Sequence, residues 1–117
     1  MSTLSRVPYD EDLAARIRAI VATRRGVTEK KMFGGLAFLV GGNLAVAASG
    51  QGGILVRVGP EQSDRLVART KASVAVMRGR PMSGWLRVAG EDVRTTRQLV
   101  PWVERGITFA QSLPPKR

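Results

Sequence analysis

Two short apolar segments flank the sequence GGN near the middle of the chain, and they limit the fold more than any other feature. The segments are residues 36–40 and 44–48. A two-residue type II′ turn centred on Gly42 and Asn43 would join them as an antiparallel hairpin, because glycine tolerates positive φ at the first central position. The pattern therefore predicts a β-hairpin in this part of the chain.

Both faces of the predicted hairpin are apolar. In this register Val40 pairs with Ala45 and shares a face with Phe38, while Leu39 and Val46 lie on the other face. An antiparallel sheet usually turns polar side chains to water on an uncovered face, so something must cover each side. A helix of the same chain or a second copy of the chain could cover the second face. Large exposed apolar patches usually mark interfaces, which favours a homodimer.

Helical patterns precede and follow this hairpin. Residues 9–25 place apolar side chains at helical spacing, and Pro60 opens a shorter helix at its first position, where a missing N–H costs nothing. The last predicted helix is Thr96–Ser112, with its first residue as the N-cap. Pro101 should either kink that helix or delay its start. Gly106 falls on the inward stripe and would let the helix approach the sheet closely.

The remaining strand predictions are residues 54–58, 75–77 and 85–88. The order is then helix, three strands, helix, two strands, helix, which predicts an α+β domain with a mainly antiparallel sheet. A chain of 117 residues fits one domain. We assign its core to about residues 8–113 and its tails to residues 1–7 and 114–117.

The chain contains no cysteine and no histidine, which removes most kinds of catalytic site. Thiol nucleophiles, imidazole bases and the usual zinc ligands are absent, and the scattered acids form no acid–base pair. A methionine-lined surface is another kind of site, but core packing explains Met32, Met77 and Met82 better. We therefore predict that the protein is not an enzyme and has no catalytic, metal-binding or cofactor-binding residues.

The sequence KKMFGG, residues 30–35, raises the question of a phosphate-binding loop. It lacks the spacing of a P-loop and of a dinucleotide-binding turn, and a strand follows it where those motifs have a helix. We therefore interpret Gly34 and Gly35 as a bulge or a close backbone approach at the start of the strand.

The sequence also predicts where the protein resides. Apolar runs such as residues 36–40 are far shorter than the ~20 residues of a membrane-spanning helix. The N-terminal sequence MSTLSRVPYDED lacks the apolar segment and the cleavage site of a secretory signal. The lack of cysteine agrees with a reducing compartment. We therefore predict a cytoplasmic protein without membrane contact.

Positive charge dominates the composition, because nineteen Lys and Arg stand against nine Asp and Glu, for a net charge of +10 and a pI near 11.6. Such a balance favours polyanions through counterion release. The candidate nucleic-acid contacts are Lys30, Lys31, Arg78 and Arg80, with Arg24, Arg25, Arg57 and Arg87 as more distant members. Only Tyr9 and Trp85 remain as exposed rings for base stacking, because the other aromatic residues fit the core. We therefore expect backbone contact without sequence readout.

Several parts of the sequence together resemble the TfoX/Sxy N-terminal domain family: KKMFGG at residues 30–35, the apolar hairpin, GRPMSGW at residues 79–85, and PWVERGITFAQSLP in the last helix. The resemblance covers roughly residues 8–113. It implies a two-layer α-β3-α-β2-α fold like that of secretion chaperones. It also implies an association with the regulation of natural competence and transcription, and it supplies no catalytic residues.

Two functions follow from these observations. The first is a regulatory or accessory module that acts through protein contacts, with a partner in transcription and a second copy of itself as the expected contacts. The alternative is a non-specific nucleic-acid-binding protein, which the net charge of +10 favours.

Overall fold

The computed structural model describes residues 9–32 and 34–116. These residues contain three helices and six strands. The helices are α1 (Glu11–Val21), α2 (Pro60–Arg69) and α3 (Thr96–Ser112). The strands are β1 (Val27–Met32), β2 (Gly35–Val40), β3 (Asn43–Ala48), β4 (Ile54–Arg57), β5 (Ser73–Met77) and β6 (Arg80–Val88). A 3₁₀ turn, Gly90–Val93, precedes α3. The predicted N-terminal tail, residues 1–7, lies outside the described residues.

The strands form one antiparallel sheet in the order β1-β2-β3-β4-β6-β5, which confirms the predicted α+β class. The structure adds one strand, β1, to the predicted five. It pairs with β2 from Val27 opposite Val40 to Met32 opposite Gly35. The four residues in its middle are polar and exposed, so β1 lacks the apolar alternation by which a strand is predicted from sequence.

Helix α3 packs across the centre of the sheet against β3 and β4, and α1 packs beside it. Gly106 lies where the helix crosses β3, and a Cβ atom there would overlap the carbonyl oxygen of Ala45. The predicted close approach of this helix to the sheet is therefore confirmed. Among the described residues, no helix is long and apolar enough to cross a bilayer.

Helix α3 begins at Thr96, as predicted, but its cap is the preceding residue. The hydroxyl of Thr95 accepts a hydrogen bond from the backbone N–H of Gln98, and the Gln98 side chain accepts one from the N–H of Thr95. This capping box fixes the start of the helix even though Pro101 lies in its second turn. The alternative of a later start is therefore wrong.

The turn between β2 and β3 is centred one residue earlier than predicted. Gly41 and Gly42 have φ values of 59° and 82°, and a positive φ at both central positions is the type I′ arrangement. Val40 consequently pairs with Asn43 and not with Ala45. The type II′ prediction was wrong because two adjacent glycines allow the turn whose twist matches that of the flanking strands.

The residues after α3 are attached to this turn. The backbone N–H of Lys116 donates to the carbonyl oxygen of Gly41 at 2.7 Å, and the side-chain amide of Asn43 donates to the carbonyl oxygen of Pro114 at 3.0 Å. Asn43 is only 4% exposed, so its amide depends on this partner. The segment assigned to a C-terminal tail, residues 114–117, is thus docked on the sheet as far as residue 116.

Both faces of the β2–β3 hairpin are apolar, as predicted, and both are buried within one copy of the chain. The predicted membership of the faces was partly wrong, because the shifted turn pairs Val46 with Phe38 and places both on one face. The face toward the helices carries the main core, including Phe38 and Val46. The opposite face carries a smaller group, which we call the second-face cluster: Ala37, Leu39, Leu44, Ala47, Leu55 and Ala75. None of these residues is more than 8% exposed. The members, and the three partly buried side chains packed against them, all belong to strands.

Residues from opposite edges of the sheet meet at the second face, which indicates that the sheet is strongly curved with this face as its concave side. Met32 on β1 and Met77 on β5 belong to opposite edges of the sheet, yet both pack against the second-face cluster and line one cavity. In a flat sheet, five strand spacings of about 4.8 Å would separate these edges by about 24 Å. Since the sheet covers its own concave face, the burial of that face does not argue for the homodimer, which stays a prediction.

Candidate binding site on the concave face

A cavity of about 230 Å³ opens on the concave face between the β1 edge and the β5–β6 hairpin. We call it the concave cavity. Its lining includes Leu55 from the second-face cluster, the two methionines Met32 and Met77, and the polar residues Ser49, Arg78 and Arg87. No acidic residue belongs to the described lining. The concave cavity is therefore an apolar pocket with a positively charged wall.

Arg87 is the best positioned charged group in the concave cavity. It lies opposite Leu55 on β4 and Ser73 on β5, which directs its side chain to the concave face. Its Nη1 donates to the hydroxyl oxygen of Ser49 at 2.9 Å, and that oxygen also accepts the backbone N–H of Gln51 at 3.0 Å. Arg87 is half-buried, and within residues 9–32 and 34–116 it forms no ion pair. A half-buried guanidinium held in this way favours an anionic ligand.

The methionines divide between two environments. Met32 and Met77, predicted as core residues, do pack against the second-face cluster, and they also line the concave cavity. Met82 belongs neither to that cluster nor to the lining residues. Methionine side chains are flexible and polarisable, so this part of the wall can adjust to different occupants.

Strand β5 forms one edge of the sheet and borders the concave cavity. Arg78 and Gly79 have φ values of 54° and 77° and form a type I′ turn that pairs Met77 with Arg80. In such a hairpin the pair beside the turn exchanges both hydrogen bonds, so the next pair, Val76 and Pro81, does not. The backbone N–H and C=O of Val76 therefore point away from β6, toward the open edge.

The two edges of the sheet differ in charge. Strand β1 carries the charged residues Glu29, Lys30 and Lys31, whereas β5, of sequence SVAVM, has no charged residue. The Arg18 side chain donates to Glu29 at 2.6 Å and 2.9 Å, which holds the pKa of that carboxyl below its ordinary value. Charged side chains on an edge discourage pairing with another strand. Val76 on β5 is 57% exposed, which makes it the exception among the large apolar side chains of the described residues.

The glycines after β1 shape the backbone, as predicted. Gly34 has a φ of 75°, and a Cβ atom on Gly35 would overlap the carbonyl oxygen of Ala48 on β3. Only glycine allows this close approach of the two strands. The predicted close backbone approach is therefore confirmed.

The candidate nucleic-acid contacts lie in different places. All four, Lys30, Lys31, Arg78 and Arg80, are exposed. Lys30 pairs with Ala37 of the second-face cluster, while Lys31 pairs with Leu36 of the main core, so their side chains leave β1 on opposite faces. Arg78 lines the concave cavity and the other three do not. The structure thus brings Arg78 together with Arg87, which the sequence placed only at the margin of the basic group.

A comparison with protein families agrees with this architecture. The TfoX N-terminal domain family matches the sequence over residues 19–110, which include all six strands, α2 and most of α3. The chain belongs to the TfoX N-terminal domain family. No curated protein matches the sequence significantly.

This TfoX N-terminal domain has a second positively charged surface, at the end of α2 and the start of α3. It is an open groove of about 510 Å³, and we call it the basic groove. Its lining includes four cations and one acid: Arg69, Lys71, Arg97, Arg105 and Asp92. The guanidinium of Arg105 lies 4.6 Å from the centre of the Trp102 ring, a cation–π distance, and both residues line the groove.

Sequence reasoning missed the basic groove because its residues come from three separate segments of the TfoX N-terminal domain. It also misjudged the rings expected to stack on bases. Tyr9 packs against the main core, and Trp85 packs against the second-face cluster with the Arg57 guanidinium 4.8 Å from its ring centre. The expectation that these two rings are exposed was therefore wrong, because both are partly buried.

Proposed function

We propose that this protein is a regulatory or accessory module that binds a partner protein at its concave face and performs no catalysis. The observation that carries the proposal is that an open strand edge lies directly beside a charged pocket. Strand β5 offers unpaired backbone groups at Val76, and the concave cavity beside it contains Arg78 and Arg87 without an acid. Strand edges and mixed apolar and charged pockets are common features of protein-binding surfaces.

The association of the TfoX N-terminal domain family with competence and transcription leads us to expect the partner among proteins that control transcription. A cytoplasmic location follows from the same expectation. A homodimer remains part of the proposal, because a second copy of β5 could pair with the same edge.

Site-specific photo-crosslinking in cells tests the proposal. A photoreactive amino acid replaces Val76 beside the concave cavity, and the matched control carries it at Gln111, which is exposed on α3. We expect a cross-linked protein from position 76 that is absent from position 111 and is lost when Arg87→Ala is added. The same products from both positions, or products that do not depend on Arg87, would contradict binding at the concave face.

The basic groove supports a second candidate function, non-specific binding of nucleic acid. Four cations line it against one acid, and none of the four forms an ion pair in the described part of the chain. Cations held in an open groove can neutralise successive phosphates, and binding of that kind weakens steeply as salt rises. The aromatic residue in its wall, Trp102, is 6% exposed, so base stacking contributes little.

Fluorescence anisotropy with a labelled duplex and a labelled single strand, at about 50 and 200 mM salt, tests this candidate. The double variant Lys71→Glu with Arg97→Glu should weaken binding and reduce its salt dependence. The matched control, Lys30→Glu with Lys31→Glu, makes the same change of charge at the originally predicted residues. An equal loss of affinity in both double variants would show that the basic groove is not the binding site. No binding of the native protein at the lower salt would exclude this candidate.

A further inference from the structure

We infer that the segment bound at the concave face is an extended acidic peptide of the partner, which pairs with β5 as a seventh strand and places a carboxylate against Arg87. This inference rests on the proposed function and names the chemistry of the partner. It commits to a partner segment, and a second copy of this chain is one of the outcomes of the test.

The pairing groups lie on the open edge of β5. Val76 belongs to a pair that exchanges no hydrogen bonds with β6, so its N–H and C=O are available to a strand on the outer side. The side chain of Val76 is 57% exposed and offers apolar contact at the same point. Addition of a peptide to a sheet edge obtains its affinity from such main-chain groups and its specificity from neighbouring pockets.

The concave cavity has the size of a side-chain pocket. Its volume of about 230 Å³ lies below the roughly 300–1,000 Å³ of pockets that hold drug-sized ligands and cofactors. A single side chain of a bound segment fits this volume better than a nucleotide or a cofactor. Strand pairing also directs alternate side chains of the peptide onto the concave face, where the cavity opens.

The positive charge of the cavity favours an acidic side chain of the bound peptide. Arg87 is held by Ser49 and Arg78 lies at the rim, while the described lining contains no acid. A carboxylate that reaches Arg87 would provide the charge partner that this half-buried guanidinium lacks. Arg87 lies one strand inside β5, so the bound strand would be two strand spacings, about 10 Å, from β6. Two long side chains directed to the same concave face can span that distance.

The probes are labelled hexapeptides with blocked ends, in which Thr and Val alternate and a central position carries Glu, Gln or Lys. Fluorescence anisotropy measures their binding to the full chain. We expect the Glu peptide to bind about tenfold or more tightly than the Gln peptide, because a charge-assisted hydrogen bond is replaced by a neutral one. The Lys peptide should not bind. Equal affinity of the three peptides would overturn the inference.

Two matched pairs of variants locate the binding. Val76→Pro removes the outward N–H without removing a bond to β6, whereas Val76→Thr keeps it, so only the proline variant should lose the Glu peptide. Arg87→Ala should remove the preference for Glu over Gln, and Arg94→Ala, at an exposed position outside the cavity, should keep it. Retention of the preference in Arg87→Ala would overturn the inference. Backbone NMR spectra check that each variant is folded, and in the unmodified protein the Val76 amide resonance should shift on addition of the Glu peptide.

The outcomes separate this inference from the proposed function. Cross-links from position 76 that depend on Arg87, together with no preference for the Glu peptide, would leave the protein-binding function and end the acidic-strand inference. Cross-links to a second copy of the chain alone would assign the β5 edge to a homodimer and would also end it. Equal binding of free acetate and of the Glu peptide would reduce the site to a carboxylate pocket without strand pairing.

Discussion

Gly106 shows how one residue can set the distance between two layers. It lies inside α3, where glycine is normally a poor choice, because glycine destabilises a helix interior by roughly 1 kcal/mol relative to alanine. Its lack of a side chain lets the helix backbone reach the carbonyl oxygen of Ala45. Helix propensity therefore favours alanine at this position, whereas packing against the sheet favours glycine.

We expect the effect of packing on stability to exceed that of helix propensity at this position. Gly106→Ala should lower the free energy of unfolding by about 1–3 kcal/mol, since the new methyl group would have to displace β3 or the helix. Thr108→Ala, at an exposed position of the same helix, should change it by less than about 0.5 kcal/mol. Urea denaturation of both variants measures the difference. A Gly106→Ala variant more stable than the native protein would show that α3 can move away from the sheet at little cost.

The ion pair between Arg18 and Glu29 gives a pH-dependent contribution. The hydrogen bond and charge of Arg18 lower the pKa of Glu29, so the folded state binds its proton less readily than the unfolded state. The contribution to stability is therefore present above the ordinary glutamate pKa and is lost as the pH falls through the lowered pKa. Both side chains are more than one third exposed, so the effect is small.

Glu29→Gln should consequently destabilise the protein slightly at pH 7 and not at about pH 2, where the native glutamate is also neutral. Denaturation curves of both proteins at the two pH values provide the test. Glu61→Gln, on α2 and without an ion pair in the described residues, is the control. A deficit of Glu29→Gln that persists at the acidic pH would mean that the charge of Glu29 is not its cause.

At the scale of elements, the docked C-terminal segment completes the β2–β3 hairpin. Removal of residues 114–117 would take the carbonyl of Pro114 from the buried Asn43 amide and the N–H of Lys116 from Gly41. An unsatisfied buried amide costs about 1–3 kcal/mol, so the truncated chain should unfold at lower urea concentration. Lys116→Ala keeps both backbone groups and should unfold like the native chain. Equal stability of the truncated chain would show that water replaces the Pro114 carbonyl.

The elements that could be predicted are those whose apolar residues repeat with a clear period. Helix α3 and the apolar hairpin were predicted with nearly the observed bounds. Strand β1 was missed because it lies at an edge, with its side chains in water, and β2 supplies its backbone partners. Strand β6 is longer than predicted because Pro81 and Gly84 normally interrupt strands. Here Pro81 occupies a pair that needs no N–H, and Gly84 lies within a register shift between β5 and β6.

The concave cavity could not be predicted at all, for a reason that belongs to the whole molecule. It exists because the sheet curves until β1 and β5 approach each other, and neither curvature nor strand order can be read from local patterns. Arg87 was recognisable as the charged residue of the predicted strand 85–88, but its partner Ser49 lies 38 residues away in the sequence. The net charge, by contrast, needs no structure.

That charge should make stability depend on salt. Cations exceed acids by ten, and in the described part of the chain the ion pairs are those of Arg18 with Glu29 and Arg24 with Glu104. Mutual repulsion among the remaining cations destabilises the folded state, and it weakens as the Debye length falls from about 30 Å at 0.01 M to about 8 Å at 0.15 M. We expect the Tm to rise over this range of NaCl.

The variant Lys30→Glu with Lys31→Glu serves as the control, because each substitution lowers the net charge by two. Its Tm should rise less over the same range of salt. Differential scanning calorimetry measures both proteins, and a Tm of the native chain that falls with salt would mean that attractive pairs outweigh the repulsion.

The unequal edges of the sheet limit how the protein can assemble. The uncharged β5 edge permits pairing with a further strand, whereas the charged side chains of the opposite edge, β1, disfavour it. A molecule that can be extended on one side only cannot form an open chain of copies, since head-to-tail growth needs two receptive ends. A complex built through β5 is therefore limited to one partner strand per domain or to a closed pair of copies, and the charged β1 edge disfavours growth into fibres by strand pairing.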